Sequence, residues 1–170
     1  ILGKGGAGFD AFYIKQKGSN NVYLAKGNLK SLTEQALLWW RDTTITKIDS
    51  ASIAAIEITQ GKSVTSLTKT KEERWELIRG GKKTELEASK AQAALSTLSS
   101  LQASDFATPQ EETVFKNAKQ RTTIVARDDK NTQLAQLTLV QSKDTWIVQA
   151  QGKTAFFKVP KETVEKIVKL

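Results

Sequence analysis

The residues with the right types and spacing for chemistry are few. Gly3-Lys4-Gly5-Gly6-Ala7-Gly8 looks like the start of a lysine-first phosphate-binding loop. Such a loop needs a preceding strand, a second lysine with Ser or Thr after the last glycine, and a helix whose N-terminal amides face the phosphate. Phe9-Asp10 stand in those places and a strand pattern follows, so the stretch reads as a flexible turn. The chain has no cysteine and no histidine. Disulfides, thiol catalysis, zinc–thiolate sites and Ser-His-Asp triads are therefore excluded, and so are the commonest general base and metal ligand. Sites of carboxylates alone and Ser-Lys or carboxylate-pair mechanisms survive that test, but no motif for any of them appears. The sequence thus predicts no catalytic residue, no cofactor and no metal site.

Binding chemistry has more to work with. The formal net charge is +8, from 26 basic and 18 acidic residues. Such a surface attracts polyanions: nucleic acid, anionic headgroups, acidic wall polymers or an acidic protein. The basic residues are scattered, however, and scattered charge mainly keeps a protein soluble. Their densest group is Arg79, Lys82 and Lys83 around Gly80-Gly81, which reads as a solvated loop and a candidate partner contact. Trp39, Trp40, Trp75 and Trp146 could stack on bases or sugars, although each falls within an apolar pattern suited to a core. Trp39 and Trp40 are adjacent and cannot share one helix face, so one must be partly exposed or meet another module. Trp39 joins the basic loop as a candidate contact. Glu111-Glu112 and Asp128-Asp129 read as turn formers in strand-turn context, and Asp49-Ser50 and Ser104-Asp105 as cap or turn chemistry.

The elements that must position these residues follow from periodicity. Phe12 to Gln16 and Val22 to Ala25 are strands joined by the turn cluster Gly18-Ser19-Asn20-Asn21. A helix through Leu29, Leu32, Leu37 and Trp40 comes next, with Asn28, or Ser31 with Glu34, at its start. A connector from Arg41 to Ser52 carries the apolar pegs Ile45 and Ile48. A three-stranded meander is expected over Ile53 to Thr59, Val64 to Lys69 and Arg74 to Ile78, with Gly80 to Lys83 as a flexible loop. The clearest helix spans about Ala88 to Gln102, striped by Ala91, Ala94, Leu95, Leu98 and Leu101, and Phe106 pins its exit. Ala107 to Lys119 holds Pro109 and one helical turn around Val114-Phe115. Strands at Thr122 to Arg127, Leu134 to Val140, Thr145 to Ala150 and Ala155 to Val159 then lead through Pro160 to a last helix faced by Val164, Ile167, Val168 and Leu170. Short turns between neighbours imply antiparallel pairing. The chain holds no apolar run of about 18 residues, so no segment of it should span a membrane. It also has no methionine, and Ile1-Leu2 resembles the end of an earlier strand, so residues upstream are expected.

One pattern occurs twice. Phe12-Tyr13-Ile14 resembles Trp146-Ile147-Val148, Gly18 corresponds to Gly152, and Val22-Tyr23-Leu24-Ala25 corresponds to Phe156-Phe157-Lys158-Val159, about 134 residues apart. The expected architecture is therefore α+β, with antiparallel meanders, packed helices and a tandem repeat of a hairpin-and-helix unit. Residues 1–42 would be the C-terminal part of a first unit and residues 43–170 a complete second unit, packed as one body.

Ile53-Ala54-Ala55-Ile56-Glu57-Ile58 with the Gly61 turn, Trp75, the leucine-striped helix, Ala103-Ser104-Asp105-Phe106, the Trp146 hairpin, Phe156 to Pro160 and the last helix together resemble the bacterial domain of unknown function 4340. That resemblance implies a tandem α+β unit, often behind an N-terminal membrane anchor on an extracytoplasmic face, and in some relatives beside ABC-type exporter or gliding-motility components. It implies no catalytic residue. The expected role is a non-catalytic, extracytoplasmic interaction or scaffold domain with a protein partner in a membrane or envelope assembly. The alternative is a basic module for nucleic acid or acidic glycan, with nucleic acid ranking below a protein partner.

Overall fold

A computed structural model describes residues 2–5, 11–27 and 37–170. The chain divides into two compact units, residues 1–42 and 43–170.

In the first unit, β1 (Leu2–Gly5), β2 (Ala11–Lys15) and β3 (Val22–Lys26) form an antiparallel sheet in that order. Phe12 pairs with Ala25 and is buried, while its neighbour Tyr13 pairs with Leu24 on the other face. Gly3 to Gly5 belong to β1 rather than to a turn, and the rest of the glycine-rich stretch falls outside the described residues. Most of the helix expected through Leu29 also falls outside them. Its end, Leu37–Trp40, is a 3₁₀ turn.

The second unit is one antiparallel nine-stranded sheet assembled from two meanders. The first meander runs β4 (Ala55–Gln60), β5 (Ser63–Lys69), β6 (Trp75–Arg79) and β7 (Lys82–Leu86). The second runs β9 (Thr122–Arg127), β10 (Gln133–Ser142), β11 (Thr145–Ala150) and β12 (Phe157–Pro160). They join through antiparallel pairing of β4 with β9, Ile56 opposite Ala126 and Ile58 opposite Ile124. The strand order is β7-β6-β5-β4-β9-β10-β11-β12-β8, with the two-residue β8 (Asp105–Phe106) on the far edge. Helix α1 (Ala88–Ser99) connects β7 on one edge to β8 on the other.

Alternation along the strands divides the sheet into two faces. Ile56, Ile58, Leu67, Ile124, Leu137, Leu139, Val148 and Phe157 point to one face and are buried with Ala91, Leu95 and Leu98 of α1. Val164, Ile167 and Val168 of α3 (Lys161–Val168) complete that core. Val140 and Ile147, directly paired, point the other way and are covered by Phe115 of α2 (Pro109–Asn117). The sheet thus buries a broad core on one face and a small one on the other.

Two expectations need correcting. Gly80 to Lys83 is not a flexible loop. Gly80 and Gly81, at φ 55° and 80°, form a tight hairpin turn of left-handed backbone, and Lys82 begins an edge strand. Positive φ at two successive turn residues suits a two-residue hairpin and strongly favours glycine. Ala107 to Lys119 is also more than one turn of helix. Thr108 caps α2 by accepting from the Glu111 N–H (3.3 Å), and Glu111 accepts from the Thr108 N–H (2.8 Å), a reciprocal capping box with Pro109 at the first helical position. Glu111 and Glu112 therefore sit in a helical first turn, not in a strand-turn segment, where their charge complements the helix dipole.

The cap has a pH signature. The Thr108 N–H donating to Glu111 holds its carboxyl below the usual carboxylate range, against the opposing effect of burial, and the Thr108 hydroxyl and Lys158 also favour the charged form. Nζ of Lys158 on β12 lies 3.3 Å from the Glu111 carboxylate and ties α2 to the sheet. Because folding lowers this pKa, its contribution to stability is complete above the unfolded carboxylate value of about 4.3 and is lost as pH falls through the folded value. Glu111→Gln can still cap but carries no charge. Its urea midpoint should fall below that of the parent at neutral pH, and the difference should shrink as acidification below the unfolded carboxylate value protonates Glu111. An undiminished difference in acid would remove the charge from this account.

Candidate functional site

One unusual surface belongs to the first unit. Tyr13 and Leu24 stand opposite one another on β2 and β3, and Val22 lies two residues from Leu24 on the same face. All three are exposed, Tyr13 by 44 %. Tyr23 is exposed on the opposite face. In the 3₁₀ turn, Trp39 and Trp40 are exposed by 61 % and 58 %, with their rings edge to face at 4.9 Å. Isolated exposed apolar residues are ordinary, whereas several large ones together on a small sheet mark a surface suited to association.

The basic candidates are dispersed by the pleat. Arg79 and Lys82 pair across the β6–β7 hairpin and point to one face, while Lys83 pairs with Ile78 and points to the other. Arg79 donates through Nη2 to the Leu170 carbonyl and through Nε to the Thr65 hydroxyl. Lys83 Nζ lies 3.5 Å from the Glu76 carboxylate. Arg79 and Lys83 are thus already engaged, Lys82 is exposed, and the three do not converge on one point. Trp39 belongs to the other unit.

A third feature had no signal in sequence periodicity. Beyond Thr122 the pairing of β9 with β10 stops, although β10 continues to Ser142. This leaves a recess of about 400 Å³ at the end of the sheet, bounded by Gln60, Gln120, Arg121, Thr122, Gln141 and Trp146 among others. Arg121 donates to the last carbonyls of α2, Phe115 (3.3 Å) and Lys116 (2.8 Å), and its guanidinium lies over the Phe115 ring. Trp146 is only 7 % exposed, yet its indole N–H has no hydrogen-bond partner within the protein. Buried indole N–H groups normally find a partner, and one left without costs roughly 1–3 kcal/mol.

Among the described residues, no group of three or more Asp or Glu side chains is arranged to hold a metal ion. Asp128 is spent on its own turn, accepting from the Lys130 and Thr132 N–H groups, and Asp49 caps the short 3₁₀ turn at Ser50–Ser52. No helix among the described residues is long and apolar enough to cross a membrane.

The fold and these surfaces define an antiparallel α+β protein with exposed apolar and recessed polar features. The family described as Domain of unknown function (DUF4340) matches residues 1–121, and the chain belongs to it. The match includes the first unit, the first meander, α1 and α2. The Trp146 hairpin and the last helix, which also carry the resemblance read from the sequence, lie beyond it. No curated protein and no solved structure matches the chain.

Proposed function

We propose that this chain is a non-catalytic interaction domain, built from part of one α+β unit and a complete second copy, that serves as a scaffold or accessory in a membrane assembly. The observation that carries the reading is the group of large apolar side chains exposed on the first unit, Tyr13, Val22 and Leu24, with Trp39 and Trp40 nearby in sequence. Internal duplication gives that group a meaning. At an offset of 134 the two hairpins have the same register: Phe12–Ala25 corresponds to Trp146–Val159, Tyr13–Leu24 to Ile147–Lys158, and Ile14–Tyr23 to Val148–Phe157. Their turn glycines also agree, with Gly18 at φ 87° and Gly152 at φ 81°. In the second copy the face that holds Ile147 is roofed by α2. In the first copy the corresponding Tyr13 is open, so a partner with an apolar surface is the complement it lacks. The extracytoplasmic setting and an ABC-type exporter as the assembly rest on what the family resemblance implies.

Crosslinking followed by recovery of the full-length protein from its native membranes tests this. A transporter or other envelope complex should be recovered with the parent protein. The paired substitutions Tyr13→Asp and Leu24→Asp should remove most of it while leaving the second unit folded. Equal recovery with the variant would separate the apolar face from partner binding.

The net charge of +8 with exposed Trp39 and Trp40 supports the second reading, a module for nucleic acid or acidic glycan. Charge-driven nucleic-acid binding weakens steeply with salt. Retention of nucleic acid at low salt, its loss at high salt and no recovered protein partner would favour that reading instead.

A further inference from the structure

We propose that β7 is a dimer edge, pairing antiparallel with β7 of a second copy of this chain. β7 ends the nine-stranded sheet on one side and is five residues long, whereas the opposite edge is the two-residue β8. It pairs with β6 in unbroken register from Arg79–Lys82 to Trp75–Leu86, contains no proline, and is exposed from Lys82 to Glu85. Shortness, bulges, proline and a covering segment are the usual guards of a sheet edge, and β7 shows none of them. Charge is the remaining guard, and here its pattern is self-complementary. Arg79 and Lys82 flank the two-residue turn and form its closing hydrogen-bonded pair, so Lys83 and Glu85 turn their backbone N–H and C=O groups to the open edge. Antiparallel pairing centred on Thr84 joins those groups. It also sets Lys83 of each copy opposite Glu85 of the other, which gives two opposite-charge pairs. The next permitted registers, one strand period away in either direction, oppose Lys83 to Lys83 or Glu85 to Glu85. One register is thus favoured over its neighbours, which a merely solvated edge does not require. On the other face of the sheet, Lys82 of each copy meets the half-buried Leu86 of the other, whose apolar surface its methylene stem can cover. Within each chain Lys83 lies 3.5 Å from Glu76, and Glu85 lies 3.4 Å from Arg74. Those charges cancel, so the two edges do not repel in spite of the net +8. This interface belongs to the second unit and does not depend on the apolar face of the first.

Sedimentation of the full chain over a range of concentrations tests the pairing. The interface is small, so the average mass should climb from 18.7 kDa toward twice that value between about 10 µM and about 1 mM. Lys83→Glu and Glu85→Lys each turn both cross-copy pairs into like-charge pairs, and each should weaken self-association about tenfold. Mixed in equal amounts, the two variants present edges of opposite charge and should dimerise as the parent does. A variant that had lost its fold is not rescued in this way, and a urea midpoint near that of the parent shows independently that each is folded. A parent that stays monomeric throughout, single variants that dimerise as well as the parent, or a mixture of folded variants that remains monomeric would each overturn the proposal.

Discussion

Truncation of Phe157 to alanine is expected to lower the unfolding free energy by about 3–5 kcal/mol, the range for deleting a fully enclosed aromatic ring. Phe157 is among the largest fully buried side chains. It pairs with Val148 on one side and with Phe106 on the other, the two aromatic rings lying 5.4 Å apart. β8 has only two residues, and Phe106 is its apolar attachment to the sheet. Losing the ring therefore leaves a cavity and also loosens the edge strand that ends the crossover from α1. A urea titration of the parent and Phe157→Ala measures the loss, with Phe157→Leu as a milder companion. A loss below about 1.5 kcal/mol, the level typical of volume-conserving swaps, would mean that the surroundings collapse onto the site or that the ring is less enclosed than described.

Thr46→Val should cost about 2–4 kcal/mol, because one buried hydroxyl serves two backbone groups that would both lose a partner. Thr46 donates to the Leu98 carbonyl (2.5 Å) and accepts from the Leu101 N–H (3.1 Å), at the point where α1 ends. Around it, Ile45 and Thr46 donate to the Leu101 carbonyl, Ile48 to the Ser99 carbonyl, and Ala103 to the Thr43 carbonyl. The segment 43–48 thus behaves as a backbone-paired clasp on the helix exit. Valine preserves shape and apolar volume, so the experiment isolates hydrogen bonding from packing. Thr46→Ser retains the hydroxyl and should recover most of the loss. Equal stability of the valine variant and the parent would show that neither bond matters to folding.

The central strands were legible because short apolar runs bounded by turn residues carry their signal. Thr122 to Arg127 and Thr145 to Ala150 have the bounds read from the sequence, since Ile124-Val125-Ala126 and Trp146-Ile147-Val148 are buried runs flanked by polar residues. β7 was missed for the converse reason. Its Lys82-Lys83-Thr84-Glu85 are exposed, and a charged edge strand carries no hydrophobic period. α2 was underestimated because Phe115 is its single buried residue, whereas Val114 is exposed. The better signal lay in Thr108-Pro109 followed by Glu111, a start motif read from hydrogen-bonding chemistry instead of hydrophobicity. The recess beside Trp146 depends on where β9 stops relative to β10, which is a matter of strand register. The basic group at the β6–β7 turn was visible as composition, but its division between two faces became visible only once Lys82 and Lys83 were placed in a strand.

The join between the two meanders also shapes how the second unit comes together in time. Within either meander each strand meets its neighbour through a short connection, so those pairings close small loops. The central seam is different: Ile56 pairs with Ala126, 70 positions later in the chain. Closing so long a loop is entropically expensive, and contacts of high sequence separation slow folding. The local meanders should therefore form ahead of the seam. During that interval β4 and β9 each present an open edge, and the same edge of a second molecule is chemically equivalent. Dilute chains find their own seam, whereas crowded ones are drawn toward exchanging halves.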